Sequence, residues 1–148
     1  MTGLLRLSDA YTLAFHAITY MAAQRDGRPV AVTEMAGTFH VSQAHLSKVL
    51  QRLAKLGLLV SRRGPRGGFS LGRQATDVTL LEIHEAIDGP LPKHSCLLGR
   101  SLCAKGSCVM AELVRTMSQQ FREHMAKTRL SDVKIELPEE SAQAAAAG

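Results

Sequence analysis

Apolar residues recur at three- and four-residue spacing in several stretches of this chain, and each such stretch predicts a helix. In the first, Leu7–Arg25, residues Ala10, Leu13, Ala14, Ala17, Ile18 and Met21 share a face. Ser8 stands where an N-cap belongs, and Asp9 follows in the first turn, where the helix dipole favours negative charge. The turn-forming run Arg25–Pro29 ends the helix. Val30–Val32 has the composition of a very short strand. Thr33 then caps a short helix over "TEMAGTF", and Ser42 caps a longer one over "SQAHLSKVLQRLAKLG". The longer helix has Leu46, Val49, Leu50 and Leu53 on one face. Val41 and Leu46 have the spacing of a hydrophobic staple, and Gly57 suits the C′ position.

The pattern changes at "LLVSRRGPRGGFSLG", which reads as two short strands around a Gly/Pro/Arg-rich hairpin. Thr79–Asp88 is helical again and stops at Gly89 and Pro90. The longest helical pattern runs from Val109 to about Arg129, with a stripe of Met110, Leu113, Val114, Met117, Phe121 and Met125. The tail "PEESAQAAAAG" is low in complexity and is expected to be disordered. Helix, turn, helix and basic hairpin follow one another in winged helix-turn-helix order. The expected fold is mainly α with a small β-wing. A winged helix-turn-helix domain (1–90) leads to a cysteine-rich loop (91–108), a long C-terminal dimerisation helix (109–133) and a disordered tail (134–148).

Charge sharpens this picture. Net charge is +5, from 18 basic and 13 acidic residues. Between Val41 and Thr76 lie seven basic residues, Lys48, Arg52, Lys55, Arg62, Arg63, Arg66 and Arg73, and no Asp or Glu. The rest of the chain carries 11 basic against 13 acidic residues, so the positive charge is local. A local basic surface suits a polyanion, and its place on a helix-turn-helix and hairpin suits double-stranded DNA. A basic helix face alone is usually a solvated face, and a Gly-rich hairpin alone is usually a turn; their order is what favours DNA. The Ser42 cap puts Gln43, Ala44 and His45 in the first turn of the second helix, the part that faces base edges in such motifs. Gln can pair bidentately with adenine, and an Ala methyl can meet the thymine methyl. Lys48 and Arg52 follow, suited to phosphates. Arg62, Arg63 and Arg66 on the hairpin suit a narrow minor groove, with Gly67 allowing close approach. Thr33, at the head of the first of the two helices, completes the expected DNA-binding set. No Walker-type or G-x-G-x-x-G phosphate loop occurs, and no catalytic constellation stands out, so the chain does not read as an enzyme.

All three cysteines fall in "CLLGRSLCAKGSC", as Cys96, Cys103 and Cys108. An odd count argues against a closed set of disulfides. No signal peptide and no run of about 18 apolar residues is visible, so a cytoplasmic location is expected, where clustered thiols bind metal or do chemistry. An iron–sulfur cluster, reactive-thiol sensing and zinc are the open readings, in that order. Zinc sites more often use tighter C-x2-C pairs. Gly99 and Gly106 would let the loop curl, and Arg100 and Lys105 would offset a cluster's negative charge.

The run "SQAHLSKVLQRLAKLGLLVSRRGPRGGFSL", the following "TLLEIHEAIDG" and the cysteine trio resemble the IscR/NsrR/CymR-type (BadM/Rrf-type) family of bacterial winged-helix regulators. The resemblance covers roughly residues 7–133. It implies a homodimer on a palindromic operator, with Gln43, His45 and Lys48 in the major groove and the wing arginines in the minor groove. It also implies a 2Fe–2S or 4Fe–4S cluster on Cys96, Cys103 and Cys108 that senses iron, redox state or nitric oxide. The trio here is spaced x6/x4 where the best-known members have x5/x5, over the same span. Some members use a histidine three residues after the third cysteine; Ala111 stands there in this chain. Others take a fourth ligand from the first helix, which makes Asp9 and His16 candidates, with His94 beside the loop as a third. Some relatives lack cysteines and sense through a protein partner, so a cluster-free thiol- or partner-sensing repressor is the alternative. A small iron–sulfur redox protein is the remaining one.

Overall fold

The computed structural model describes residues 7–24, 26–91 and 110–135. Cys96, Cys103, Cys108 and His94, and with them the expected cluster loop, lie outside the described residues, as does residue 136 onward. Among the described residues no helix is long and apolar enough to cross a membrane.

Helix α1 spans Asp9–Ala22. Ser8 caps it as expected, its Oγ accepting from the Tyr11 N–H at 3.0 Å. The helix ends three residues short of Arg25, where the Gln24 amide turns to the Met21 carbonyl, three residues back, and closes a tighter last turn. Helix α2 spans Val32–Phe39, and here the expected cap fails. The N-cap is Ala31, without a side-chain bond, and Thr33 sits inside the first turn. The cause is upstream: Val30 exchanges two backbone hydrogen bonds with Phe69 (2.8 and 2.9 Å), so the chain leaves this bridge already placed to begin a helix at Val32. The expected short strand is reduced to that one bridge.

Helix α3 spans Gln43–Lys55 and starts at the expected Ser42 cap, whose Oγ accepts from the His45 N–H at 3.4 Å. It ends in a Schellman motif. The Leu58 N–H reaches the Leu53 carbonyl, the Gly57 N–H reaches Ala54, and Gly57 has a φ of 75°. Strands β1 (Leu59–Arg62) and β2 (Gly68–Leu71) form an antiparallel hairpin, the wing, with Leu59 opposite Leu71 and Arg62 opposite Gly68. Helix α4 (Leu80–Asp88) begins with a reciprocal capping box: Thr79 Oγ1 accepts from the Glu82 N–H, and a Glu82 carboxylate oxygen accepts from the Thr79 N–H at 2.9 Å.

Helix α5 spans Ala111–Lys127 and packs on α4 of its own chain. Val114 and Met125 are buried and Phe121 is partly buried, whereas Met110 and Leu113, from the same sequence stripe, are exposed. After α5 the chain returns to the segment before α4. The Leu130 N–H meets the Val78 carbonyl at 2.8 Å, the Leu80 N–H meets Thr128 at 3.1 Å, and Thr79 bridges Arg129. Leu130 is fully buried there, and Ile135 packs partly against the same core. One core results, in which Ile18 of α1, Leu50 of α3, Ile83 of α4 and Leu130 meet.

Thr79, which caps a helix, and Thr33, which does not, make opposite predictions. Thr79→Ala removes one donor–acceptor pair of a reciprocal cap and should lower stability by about 1 kcal/mol. Thr33→Ala removes no cap and should stay within about 0.5 kcal/mol of wild type. Urea unfolding of the two variants checks this; equal losses would contradict the cap assignment.

Candidate nucleic-acid interface

Burial of Leu46, Val49, Leu50 and Leu53 fixes which side of α3 faces out. Gln43, Ala44, His45, Lys48, Gln51, Arg52 and Lys55 are all exposed. Ser42 is exposed too, its hydroxyl engaged in the cap. α2, which holds α3 across the turn, is itself held by a polar joint. Both Glu34 carboxylate oxygens accept from the Arg28 guanidinium (2.9 and 3.1 Å), and the Tyr20 hydroxyl donates to one of them at 3.0 Å. The Arg28 hydrogen bonds outweigh the opposing effect of burial, and with Tyr20 they hold the Glu34 carboxyl below its usual range. The turn between α2 and α3 places His40 in the left-handed region, at φ 54°.

The wing's arginines are carried on a tight loop. Arg62, Arg63 and Arg66 are exposed around a turn closed by the Gly67 N–H on the Gly64 carbonyl at 2.9 Å. Two glycines are required there by the protein's own packing. A Cβ on Gly67 would overlap the Arg62 carbonyl, and one on Gly68, whose φ is 150°, would overlap the Val30 backbone. The bridge that starts α2 thus also anchors the wing beside it.

Six of the seven basic residues, Lys48, Arg52, Lys55, Arg62, Arg63 and Arg66, join no ion pair among the described residues. The seventh does. Arg73 donates to Glu82 at 2.8 Å and to the Asp77 carbonyl at 2.6 Å, clamping the 3-10 turn Ala75–Asp77 to the start of α4. The basic window of the sequence therefore divides into an exposed set of six on α3 and the wing, and one structural arginine.

Of the expected fourth ligands, Asp9 and His16 are exposed along α1, on the same side as Thr12. The His16 Nδ1 lies 2.7 Å from the Thr12 carbonyl oxygen, which leaves Nε2 as its outward nitrogen. Its ring meets Phe15 edge-on at 5.6 Å and Phe39 at 6.5 Å. Among the described residues, no three His, Cys, Asp or Glu side chains are grouped as a metal site. Asp9 and His16 are thus both open to solvent on α1, and the three cysteines lie outside the described residues.

Sequence periodicity did not expose one polar cluster. His84, on the core face of α4, is 3% exposed, and neither ring nitrogen has a hydrogen-bond partner among the described residues. Its Nε2 lies 3.7 Å from Asp88, and its ring is tilted against Tyr11 at 5.2 Å. Asp88 accepts from both the Ser8 N–H (3.2 Å) and Ser8 Oγ (2.5 Å), joining the start of α1 to the end of α4. Burial, and after it the Asp88 charge, push the Tyr11 hydroxyl up to about 12. Arg122 of α5 reaches the same corner, donating to the Leu91 carbonyl at 2.8 Å and lying 3.9 Å from Glu85.

A capped, half-buried helix beside a two-stranded basic wing is the architecture of a winged helix-turn-helix DNA-binding protein. The Rrf2 family, described as iron-dependent transcriptional regulators, matches residues 7–135, and this chain belongs to it. It is thus a DNA-binding transcription regulator and not an enzyme. It is 31% identical over 129 residues to a protein of Aquifex aeolicus named as an HTH-type transcriptional regulator, covering 85% of this chain and 89% of that one. It is 28% identical over 130 residues to the HTH-type transcriptional regulator IscR of Photorhabdus laumondii, covering 87% and 79%. The structure of CymR, the global cysteine regulator of B. subtilis, shares the fold with a TM-score of 0.74 at 22% identity, over 86% of this chain and 95% of that one.

The division of the basic residues can be checked on DNA. Lys48→Ala and Arg63→Ala should each weaken binding to all duplexes and reduce the slope of log affinity against log salt by about 1. Arg73→Ala should leave that slope unchanged and lower thermal stability instead. A salt titration by fluorescence anisotropy measures all three; a reduced slope for Arg73→Ala would contradict the assignment.

Proposed function

We propose that this chain is a cytoplasmic, homodimeric transcription regulator that binds a palindromic operator and whose affinity for it responds to an iron–sulfur cluster held by Cys96, Cys103 and Cys108. The observation that carries the DNA half is the exposed set of six cations on α3 and the wing, which join no ion pair among the described residues, on a chain of the Rrf2 family. Thr33, Ser42, Gln43, His45, Lys48, Arg52, Arg62, Arg63, Arg66 and Gly67 are the residues assigned to that contact. α3 enters the major groove, and the wing arginines lie along the adjacent minor groove. Exposure of Met110 (40%) and Leu113 (50%) beside the buried Val114 leaves α5 a second apolar edge, suited to a second copy of the chain. A two-fold dimer brings two α3 helices to half-sites about one helical turn, or a multiple of it, apart.

Cys96, Cys103 and Cys108 hold the cluster, with Asp9, His16 or His94 as the fourth donor. Either a 2Fe–2S or a 4Fe–4S cluster suits this donor set, and when bound it supplies a redox- and iron-responsive group. The chain's own part is to connect that segment to the reading head. Arg122 holds Leu91 at the entrance to the cysteine segment, and Asp88 holds Ser8 at the cap of α1. α1 and α4 both pack on α3, so a shift at this corner changes the placement of α3. A second reading is a cluster-free thiol- or partner-sensing repressor, supported by the fold shared with a protein named a cysteine regulator.

Anaerobic purification separates the two. Wild type should be brown, with stoichiometric iron and acid-labile sulfide, and Cys103→Ala should lose both. A colourless, iron-free wild type after cluster reconstitution would contradict the cluster and leave the thiols or a partner protein as the input.

A further inference from the structure

We propose that Gln51, oriented by Ser47, is a specificity-determining residue that reads an adenine in the major groove; the inference rests on the DNA-reading role of α3. With Leu46, Val49, Leu50 and Leu53 turned into the core, the line along α3 farthest from the core runs through Ala44, Lys48, Gln51 and Lys55. All four are exposed. Gln43 and His45 fall to either side of this line. A helix seated in the groove aims that line at base edges and its flanks at the two phosphate walls. Gln51 is about 10 Å along the axis from Ala44, within the roughly 12 Å width of the groove.

Of the four, Ala44 offers only a methyl group, and the two lysines are mobile point charges suited to phosphate. Gln51 alone carries both a donor and an acceptor in one plane. The Gln51 Nε2 donates to Ser47 Oγ at 3.3 Å, one turn back on the helix. That bond uses one amide hydrogen and biases the orientation of the amide. The carbonyl Oε1 and the second amide hydrogen have no other partner among the described residues. Together they match the N6 donor and N7 acceptor of adenine. Ser47 is a positioning residue, because it acts through the amide.

The test is repeated selection from a random duplex library with wild type, Gln51→Ala, Gln51→Glu, Ser47→Ala and Ser47→Thr, followed by affinity measurements on the selected sites. Wild type should select a consensus with an adenine that Gln51→Ala no longer discriminates, a loss of about tenfold or more at that position only. Gln51→Glu should select cytosine there, since its carboxylate accepts from the cytosine amino group. Ser47→Ala should blur the same position, and Ser47→Thr, which keeps the hydroxyl, should retain it. Gln51→Ala should match wild type in far-ultraviolet circular dichroism and in its cooperative thermal unfolding, which shows that the variant folds. A Gln51→Ala consensus identical to wild type at every position, or adenine still selected by Gln51→Glu, would overturn the proposal. A wild type that selects no consensus would overturn it together with the DNA-reading role.

Discussion

The structure depends on the two-sidedness of α3. Four aliphatic side chains on one face of this helix are buried against α1 and α4, and full burial of each contributes about 1.5–3 kcal/mol relative to exposure. That burial fixes the rotation of the helix about its axis, so the opposite face is presented in one orientation only. The Ser42 cap fixes where the helix begins, and the Schellman motif at Gly57 fixes where it ends and sends the chain directly into the wing. A reading surface with defined register follows from an apolar stripe, a serine and a glycine.

The wing gains its position from backbone more than from side chains. The Val30–Phe69 bridge ties β2 to the start of α2, and Gly68 is the residue that lets the Val30 backbone approach β2 closely enough. The same bridge displaced the start of α2, so Thr33 never became a cap. The wing is thus coupled to the first of the two helices by one pair of backbone hydrogen bonds, and the Arg28–Glu34–Tyr20 joint couples that helix to α1.

Features set by neighbouring residues were legible in the sequence: the caps at Ser8 and Ser42, the core face of α3, and the hairpin with its arginines, whereas Thr79 reads as helical and is the cap instead. The exposed positions of Gln43, His45, Lys48 and Arg52 follow from that same periodicity. What was not legible depends on distant partners. Leu130 and Thr128 have no local signal that they return to Val78 and Leu80. The stripe on α5 reads as one face, yet Val114 and Met125 go to the core while Met110 and Leu113 stay outside, because α4 covers only part of the helix. Arg73 looks like its basic neighbours until its carboxylate partner, Glu82, is seen beside it. His84 carries a polar group at an apolar position, and only packing against Tyr11 shows that it is buried.

The charge and the fold together describe an output, and the cysteine segment is the proposed input. The corner formed by Ser8, Asp88, Leu91 and Arg122 is where the two meet in the described part of the chain. The measurement that tests this account most directly is the operator affinity of one anaerobic preparation before and after oxidation, for wild type and for a variant with alanine at Cys96, Cys103 and Cys108. The account predicts at least a tenfold change for wild type and none for the triple variant. Equal affinity in both states of the wild-type protein would contradict it.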